Sequence, residues 1–209
     1  MTKYPTEQVF IVPRSDGNFP DRFSFRPTED LMKFQKGNGR FIMRHDAEMN
    51  CDFYQLIPYI IVLNRTGDKV YVARRIGGDK RLEDKWSFFG GHINPEDFND
   101  KASVIENAAY RELGEELNYT PVSKNEALSF RGTIMDRQSA TSEHIGFVYS
   151  IKAHSVSVRE TDNLKGAWMS FDEMVENYSA FESWAKYIID YIFVQNKGIG
   201  VLTGGVQEK

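Results

Sequence analysis

The sequence predicts an α+β protein in which a mixed α/β core follows a smaller N-terminal extension. Three observations carry this. Short runs rich in β-branched and aromatic residues recur along the chain, bounded by Gly, Asn and Asp, and they read as strands. Residues 102–117 keep the 3.6-residue period of an amphipathic helix, and a second helical pattern covers roughly 181–195. Apolar residues make up 41% and charged residues 27%, enough to fill a core and to solvate its surface.

Taken in order, VFIVPR (9–14) is strand-like and SDGN (15–18) is a turn. Thr28 precedes EDLMKFQ and a GNG follows it, which predicts a short capped helix over 29–36. Residues 41–55 have mixed periodicity. YIIVLN (59–64), RTGD and KVYVARR (69–75) read as a hairpin. The helix at 102–117 follows a long polar loop, and LSFRGTIM (128–135) and HIGFVYSIKA (144–153) read as strands. AWMSFDEM passes from a short strand into a helix at about 171–178, and the glycine-rich tail GIGVLTGGVQEK should fray. The boundary falls near residue 56, giving an extension over 1–56 and a core domain over 57–209.

Composition excludes several functions. Lys plus Arg number 26 against 30 Asp plus Glu, a net charge of −4, so no broad basic face for nucleic acid is expected. Cys51 is the one cysteine, which excludes an intrachain disulfide and a cysteine zinc site; a lone thiol of this kind reads as a small buried hydrophobe. The N-terminus MTKYPTEQVF lacks a long apolar run, and YIIDYIFV is too short to span a bilayer and contains Asp190. A soluble, cytoplasmic protein without a membrane partner is expected.

The helix at 102–117 carries the chemistry. At about 100° per residue, Glu112, Glu115 and Glu116 share one arc. Like charges at i, i+3 and i+4 destabilise a helix by a few tenths of a kcal/mol per pair, so clustering asks for compensation. A divalent cation supplies it, because hard metals take several carboxylate oxygens. A merely solvated face would be polar throughout. This stripe instead starts at Ile105, Ala108 and Ala109 and then turns acidic, which places the acids at the edge of a cleft. Tyr110, Leu113 and Leu117 form the expected core side.

These residues resemble the Nudix hydrolase signature, G-x5-E-x7-R-E-U-x-E-E-x-G-U, with U aliphatic. Arg111-Glu112-Leu113-Gly114-Glu115-Glu116-Leu117-Asn118-Tyr119 matches its second half at the arginine, the three glutamates and Leu113. Asn118 stands where glycine is usual, and asparagine tolerates a left-handed helix stop. Gly91 and Arg111 lie 20 positions apart, six more than in the signature, and Ser103 occupies the place of its first glutamate. In the family that glutamate orients the arginine; here Glu96, Asp97 or Asp100 could fold back to do so. WSFFGG (86–91) resembles the strand entering the family's glycine pair, and GAWMSFDEM (166–174) its strand-to-helix closure. The resemblance covers about residues 57–195 and points to a branch with a lengthened box and an N-terminal extension.

The resemblance implies an α/β/α sandwich with a mixed β-sheet. It implies a metal-dependent hydrolase of a nucleoside diphosphate linked to another moiety, with Mg2+ or Mn2+ as cofactor. The alternative is a Nudix-fold nucleotide-binding or regulatory module with little turnover, a reading that Ser103 supports. Carried over by residue, Glu112, Glu115 and Arg111 are the catalytic set. Glu112, Glu115 and Glu116 with the carbonyl of Gly91, or of Gly90, are the metal donors. Arg74, His92 and Glu160 are candidates for substrate binding, and Glu143 and Glu160 for a general base. Arg75, Lys80, Arg81 and Lys85 extend a basic cluster around Arg74. His144 reads as a satisfied strand histidine, and Arg40 and Arg44 as strand-surface residues. The extension is a candidate cap for the cleft or a candidate homodimer contact.

Overall fold

A computed structural model of the chain describes residues 6–14, 22–24, 39–76, 84–99, 103–137, 143–159 and 161–194. The turn at 15–18, the helix expected over 29–36, Lys80, Arg81, Asp100, Glu160 and the glycine-rich tail lie outside these residues.

Strands β1 (Gln8–Pro13), β2 (Arg22–Ser24) and β3 (Arg40–Met43) lead to helix α1 (Arg44–Glu48). Strands β4 (Phe53–Leu63), β5 (Lys69–Arg75) and β6 (Trp86–Ser87) follow, then a 3-10 turn at Pro95–Asp97 and helix α2 (Val104–Glu116). Strands β7 (Leu117–Pro121), β8 (Ser129–Met135), β9 (His144–Val158) and β10 (Leu164–Ser170) precede helices α3 (Phe171–Glu176) and α4 (Ser183–Val194). Along the sheet the order is β10-β5-β4-β9-β8-β2, with β1 joining β3 to β4 and β7 pairing the far half of β9. The sheet is mixed: β4 and β9 run parallel from Gln55↔His144 to Leu63↔Lys152, and the other ladders are antiparallel.

Strand β4 shows why the sheet carries a helix on each face. Successive side chains of a strand point to opposite faces. Tyr54, Leu56, Ile60 and Val62 pack with Ile105, Ala108, Ala109 and Leu113 of α2. Ile57, Tyr59, Ile61 and Leu63 pack with Trp184, Ala185, Ile188 and Ile189 of α4. A strand buried on both faces must be apolar throughout, and FYQLIPYIIVL nearly is. The α/β/α sandwich expected from the resemblance is the observed architecture.

The hairpin turns where the sequence placed it. Asn64 Oδ1 accepts hydrogen bonds from the amides of Gly67, Asp68 and Lys69 at 2.9, 3.0 and 3.1 Å, and Gly67 supplies the positive φ of 79° that this tight turn requires. The β4–β5 ladder is short, with Val62↔Tyr71 and Leu63↔Val70 as its pairs. Beyond them the strands part, and residues 86–89 wedge between: Ser87 and Trp86 pair with Ala73 and Arg74, while Phe89 bridges Ile60. That wedge delivers the glycine pair to the end of α2.

Helix α2 starts at a reciprocal cap. Glu106 N–H donates to Ser103 Oγ at 3.2 Å, and Ser103 N–H donates to Glu106 Oε2 at 3.4 Å. Ser103 therefore has a local task of its own. Ser103→Ala should lower stability by about 1 kcal/mol in urea unfolding, and Ser103→Thr by less. A Thr variant as unstable as the Ala variant would show that the hydroxyl is not the reason.

Several expectations need correction. Helix α2 does not end on a left-handed residue at Asn118. Leu117 is already extended, with φ −128° and ψ 143°, and the chain enters β7 directly. Asn118 Oδ1 instead accepts a hydrogen bond from Arg159 Nε at 3.0 Å. Tyr110 is not core: it is 39% exposed, and its hydroxyl accepts from the Leu128 amide at 3.1 Å. Cys51 is exposed rather than buried. Strand β9 runs to Val158 because its second half, polar on one side, gains β7 as a partner. Strands β1 and β3, within the expected extension, hydrogen-bond into the same sheet, and β4 runs through residue 56. Among the described residues no helix is long and apolar enough to cross a membrane.

Candidate active site

The site is built around Arg111, on the face of α2 that turns toward the wedge. Its side chain is 15% exposed, and its guanidinium serves four protein groups. Nε and Nη2 donate to Asp97 Oδ1 and Oδ2, both at 3.0 Å, a bidentate pair. Nη2 also donates to the carbonyl of His92 at 2.7 Å. Nη1 donates to Glu112 Oε1 at 2.8 Å and to Glu115 Oε2 at 3.0 Å. Burial works against the charge, but the bonds to Asp97 and Glu112 outweigh it and hold the guanidinium above its ordinary range.

Asp97 is the acid that the lengthened loop folds back. It is 2% exposed, and it also accepts the Asn94 amide at 2.8 Å, which fixes the 3-10 turn that carries it. Of the three acids that the sequence offered for this task, Asp97 makes the close pair. Glu96 stands 3.6 Å from Arg111 Nε and is 68% exposed, and Asp100 lies outside the described residues.

Glu112 is 9% exposed and packs against Gly91, where an added methyl would collide with the Glu112 carboxylate. Burial pushes its carboxyl up to about 7, Arg111 pulls it back, and Glu115 and Asp97 add to the rise. Glu115 has a side chain 56% exposed. Glu116 accepts the Gly90 amide at Oε2, 3.2 Å away. Gly90 has φ 146°, and a Cβ there would strike the Pro58 carbonyl, so the chain passes this point as glycine.

The structure thus brings together Arg111, Glu112, Glu115, Glu116 and the glycine pair. It does not bring the other candidates to them in the same way. His92 turns its ring to Gln55, with Nε2 and Oε1 2.9 Å apart, and lies edge-on to His144 with centroids 5.4 Å apart. Burial, with Arg44, His144 and Arg111 nearby, keeps that imidazole well below its usual pKa and neutral. Arg74 pairs with Asp84 at 3.1 Å. Lys85 reaches the Ser179 carbonyl, and Glu143 offers its own carbonyl to the Gln55 amide. Arg44 joins Glu7 and Glu48, and Arg40 lies over the Phe53 ring. Tyr59 and Glu182, which border the wedge, were not singled out by sequence reasoning. They lie 123 positions apart and share no local pattern; a tyrosine within an aliphatic strand was the one available sign.

Among the described residues no three His, Cys, Asp or Glu side chains are already gathered as a metal would gather them. Glu112 and Glu115 are held by Arg111, and Glu116 by Gly90. The donor chemistry nonetheless fits a hard divalent cation. Asp97, Glu112 and Glu115 surround one guanidinium, so three carboxylates face a single positive charge, and Glu116 follows Glu115 on the same helix. Glu112, Glu115 and Glu116 all stand on α2, so one helix fixes their backbones.

A family model described as the NUDIX domain matches residues 54–192. Protein YmaB of Bacillus subtilis (strain 168) is 30% identical over 203 residues, covering 89% of this chain and 97% of that protein. The crystal structure of Tm1382, a candidate Nudix hydrolase, covers 90% of this chain and 100% of its own, with 23% identity and a TM-score of 0.75. The NUDIX domain of Shewanella oneidensis NrtR, solved with ADP ribose, covers 75% of this chain and 100% of its own, with 12% identity and a TM-score of 0.51. At those identities the two structures speak for the fold. With a family model spanning the sandwich and the helix of three glutamates, the chain belongs to the Nudix family.

Proposed function

We propose that the protein is a pyrophosphohydrolase, dependent on Mg2+ or Mn2+, that cleaves a nucleoside diphosphate linked to another moiety. The observation that carries this is the half-neutralised acid cluster: one buried arginine fixes Glu112 and Glu115 on a rigid helix, with Glu116 and the glycine pair beside them. Glu112, Glu115, Glu116 and the carbonyl of Gly91 would hold the cation, whose chemistry is to neutralise diphosphate oxygens and lower the pKa of a bound water.

The chain's own residues do the rest. Arg111 orients the glutamates and is turned away from substrate by its four protein partners. Glu115, the most exposed of the Arg111-bound acids of α2, is placed to accept a proton from an attacking water. Among the described residues Arg74 pairs with Asp84, whose side chain is 71% exposed, so a substrate phosphate can displace that weak pair. His92, neutral and bonded to Gln55, offers a polar neutral contact. Glu160 keeps its place as a loop candidate for substrate binding. The binding-module alternative drew its support from Ser103; the Asp97–Arg111 pair, which gives the arginine an orienting acid from the loop, favours the hydrolase reading.

The test is a panel of nucleoside diphosphate compounds, ADP ribose among them, assayed with Mg2+ and with Mn2+ for release of a nucleoside monophosphate. Turnover of at least one member is expected, and Glu116→Gln should reduce it by roughly 100-fold or more. A wild-type protein that binds Mn2+ but turns over nothing would favour the binding module. A protein that binds no divalent cation at millimolar concentration would overturn the hydrolase reading.

A further inference from the structure

Residues 86–90 carry the chain into the glycine pair, and their backbone is held at successive steps. The Trp86 carbonyl accepts the Glu182 amide at 3.0 Å. The Phe88 amide donates to the Tyr59 hydroxyl at 3.3 Å. Phe89 exchanges both backbone bonds with Ile60, at 2.7 and 3.2 Å. The Gly90 amide then donates to Glu116. Two of these steps meet in one side-chain pair on the α4 face of the sheet. Tyr59 O–H donates to Glu182 Oε1, and Glu182 also accepts the amides of Trp184 at 2.8 Å and Ala185 at 2.9 Å, at the first turn of α4.

This pair does more than satisfy two core polar groups. The Tyr59 ring packs against Phe88 and Trp184, at 5.7 and 5.4 Å between centroids, so it locks the wedge to α4 by shape as well as by hydrogen bonds. Burial, and then Glu182, hold the tyrosine well above its usual pKa, so it stays a neutral donor. Three donors converge on Glu182, the arrangement that suits an ionised carboxylate despite the burial that raises its pKa.

We infer that Tyr59 and Glu182 are positioning residues for Glu116: through Phe88 and the Gly90 amide, they set where that carboxylate stands. The inference rests on Glu116 being a metal donor. The test compares wild-type protein with Tyr59→Phe, which keeps the ring and removes the hydroxyl. Three quantities are read: amide hydrogen exchange at Gly90, the dissociation constant for Mn2+, and the melting temperature. Exchange at Gly90 should rise about tenfold while Val62 and Val148, central in the sheet, stay unchanged. The Mn2+ dissociation constant should rise about tenfold. A general loss of structure would raise exchange at all three amides, and that result would overturn the inference. So would Gly90 exchange and Mn2+ affinity both within about twofold of wild type. If wild-type protein binds no Mn2+ while Gly90 still loosens in the variant, the positioning of Glu116 stands and its role as a metal donor falls. Should Tyr59→Phe fail to fold, Glu182→Gln carries the same readouts, since it keeps the side chain's size.

Discussion

Asp97→Ala is expected to destabilise the protein by about 3 kcal/mol, measured by urea unfolding. The reason is the company it leaves behind. Arg111 is 15% exposed, and Asp97 supplies two of its five hydrogen bonds. Removing one partner of a buried pair leaves a desolvated charge, and that penalty exceeds what the pair contributes over an apolar replacement. Glu112 and Glu115 remain beside Arg111, which keeps the cost at the lower end of the usual range. Glu96→Ala is the control. It touches the same guanidinium at 3.6 Å from an exposed position, and should cost well under about 1 kcal/mol. Equal losses in the two variants would mean that the bidentate bond is not what anchors the arginine.

The second large effect is a pH dependence that metal should abolish. Glu112 rises on folding from an ordinary value of 4.5 to about 7. Such an acid binds its proton more tightly when folded. Its ionisation therefore costs the folded state about 3 kcal/mol, fully felt above pH 7 and absent below pH 4.5. With metal chelated by EDTA, stability should fall as pH rises from 5 to 8, and Glu112→Gln should flatten that slope. Folding also shifts other groups, His92 downward and Glu182 upward, both through burial first, so the difference between wild type and variant isolates the Glu112 contribution. Adding Mg2+ at pH 8 should restore the wild-type protein and leave Glu112→Gln little changed. A variant with the wild-type slope would remove Glu112 as the cause.

The α2 helix was readable in the sequence because its information is local. The stripe from Ile105 through Ala108 and Ala109 to Glu112 follows from helical spacing alone, and all four are buried as that stripe required. The strands of the parallel core were legible for the same reason, as unbroken apolar runs. Asp97 was legible only as one of three acids, because nothing in the order of residues says which way a loop folds. Strand β7 and the outer half of β9 were missed, since each is half-polar and becomes a strand only when the other pairs with it. Tyr110 misled because a helix face that looks apolar can still end at the surface, with a hydroxyl to satisfy. The Tyr59–Glu182 pair has no sequence signal beyond an odd tyrosine, because its meaning depends on a wedge inserted between two strands.

The grip on Arg111 from a loop, with Ser103 left to cap the helix, has a consequence for how such chains diverge. When the orienting acid sits in the helix, its distance from the arginine is fixed by helical pitch, and a single insertion would break the contact. Here the acid comes from the loop that precedes the helix, and its grip on Arg111 does not depend on helical pitch. A change of length after Asn99 and before Ser103 leaves both the Asp97 turn and the helix cap with their own local hydrogen bonds. Relatives of this chain are therefore expected to vary in length at that point, and an alignment forced to a fixed spacing would overlook the acid that holds the arginine.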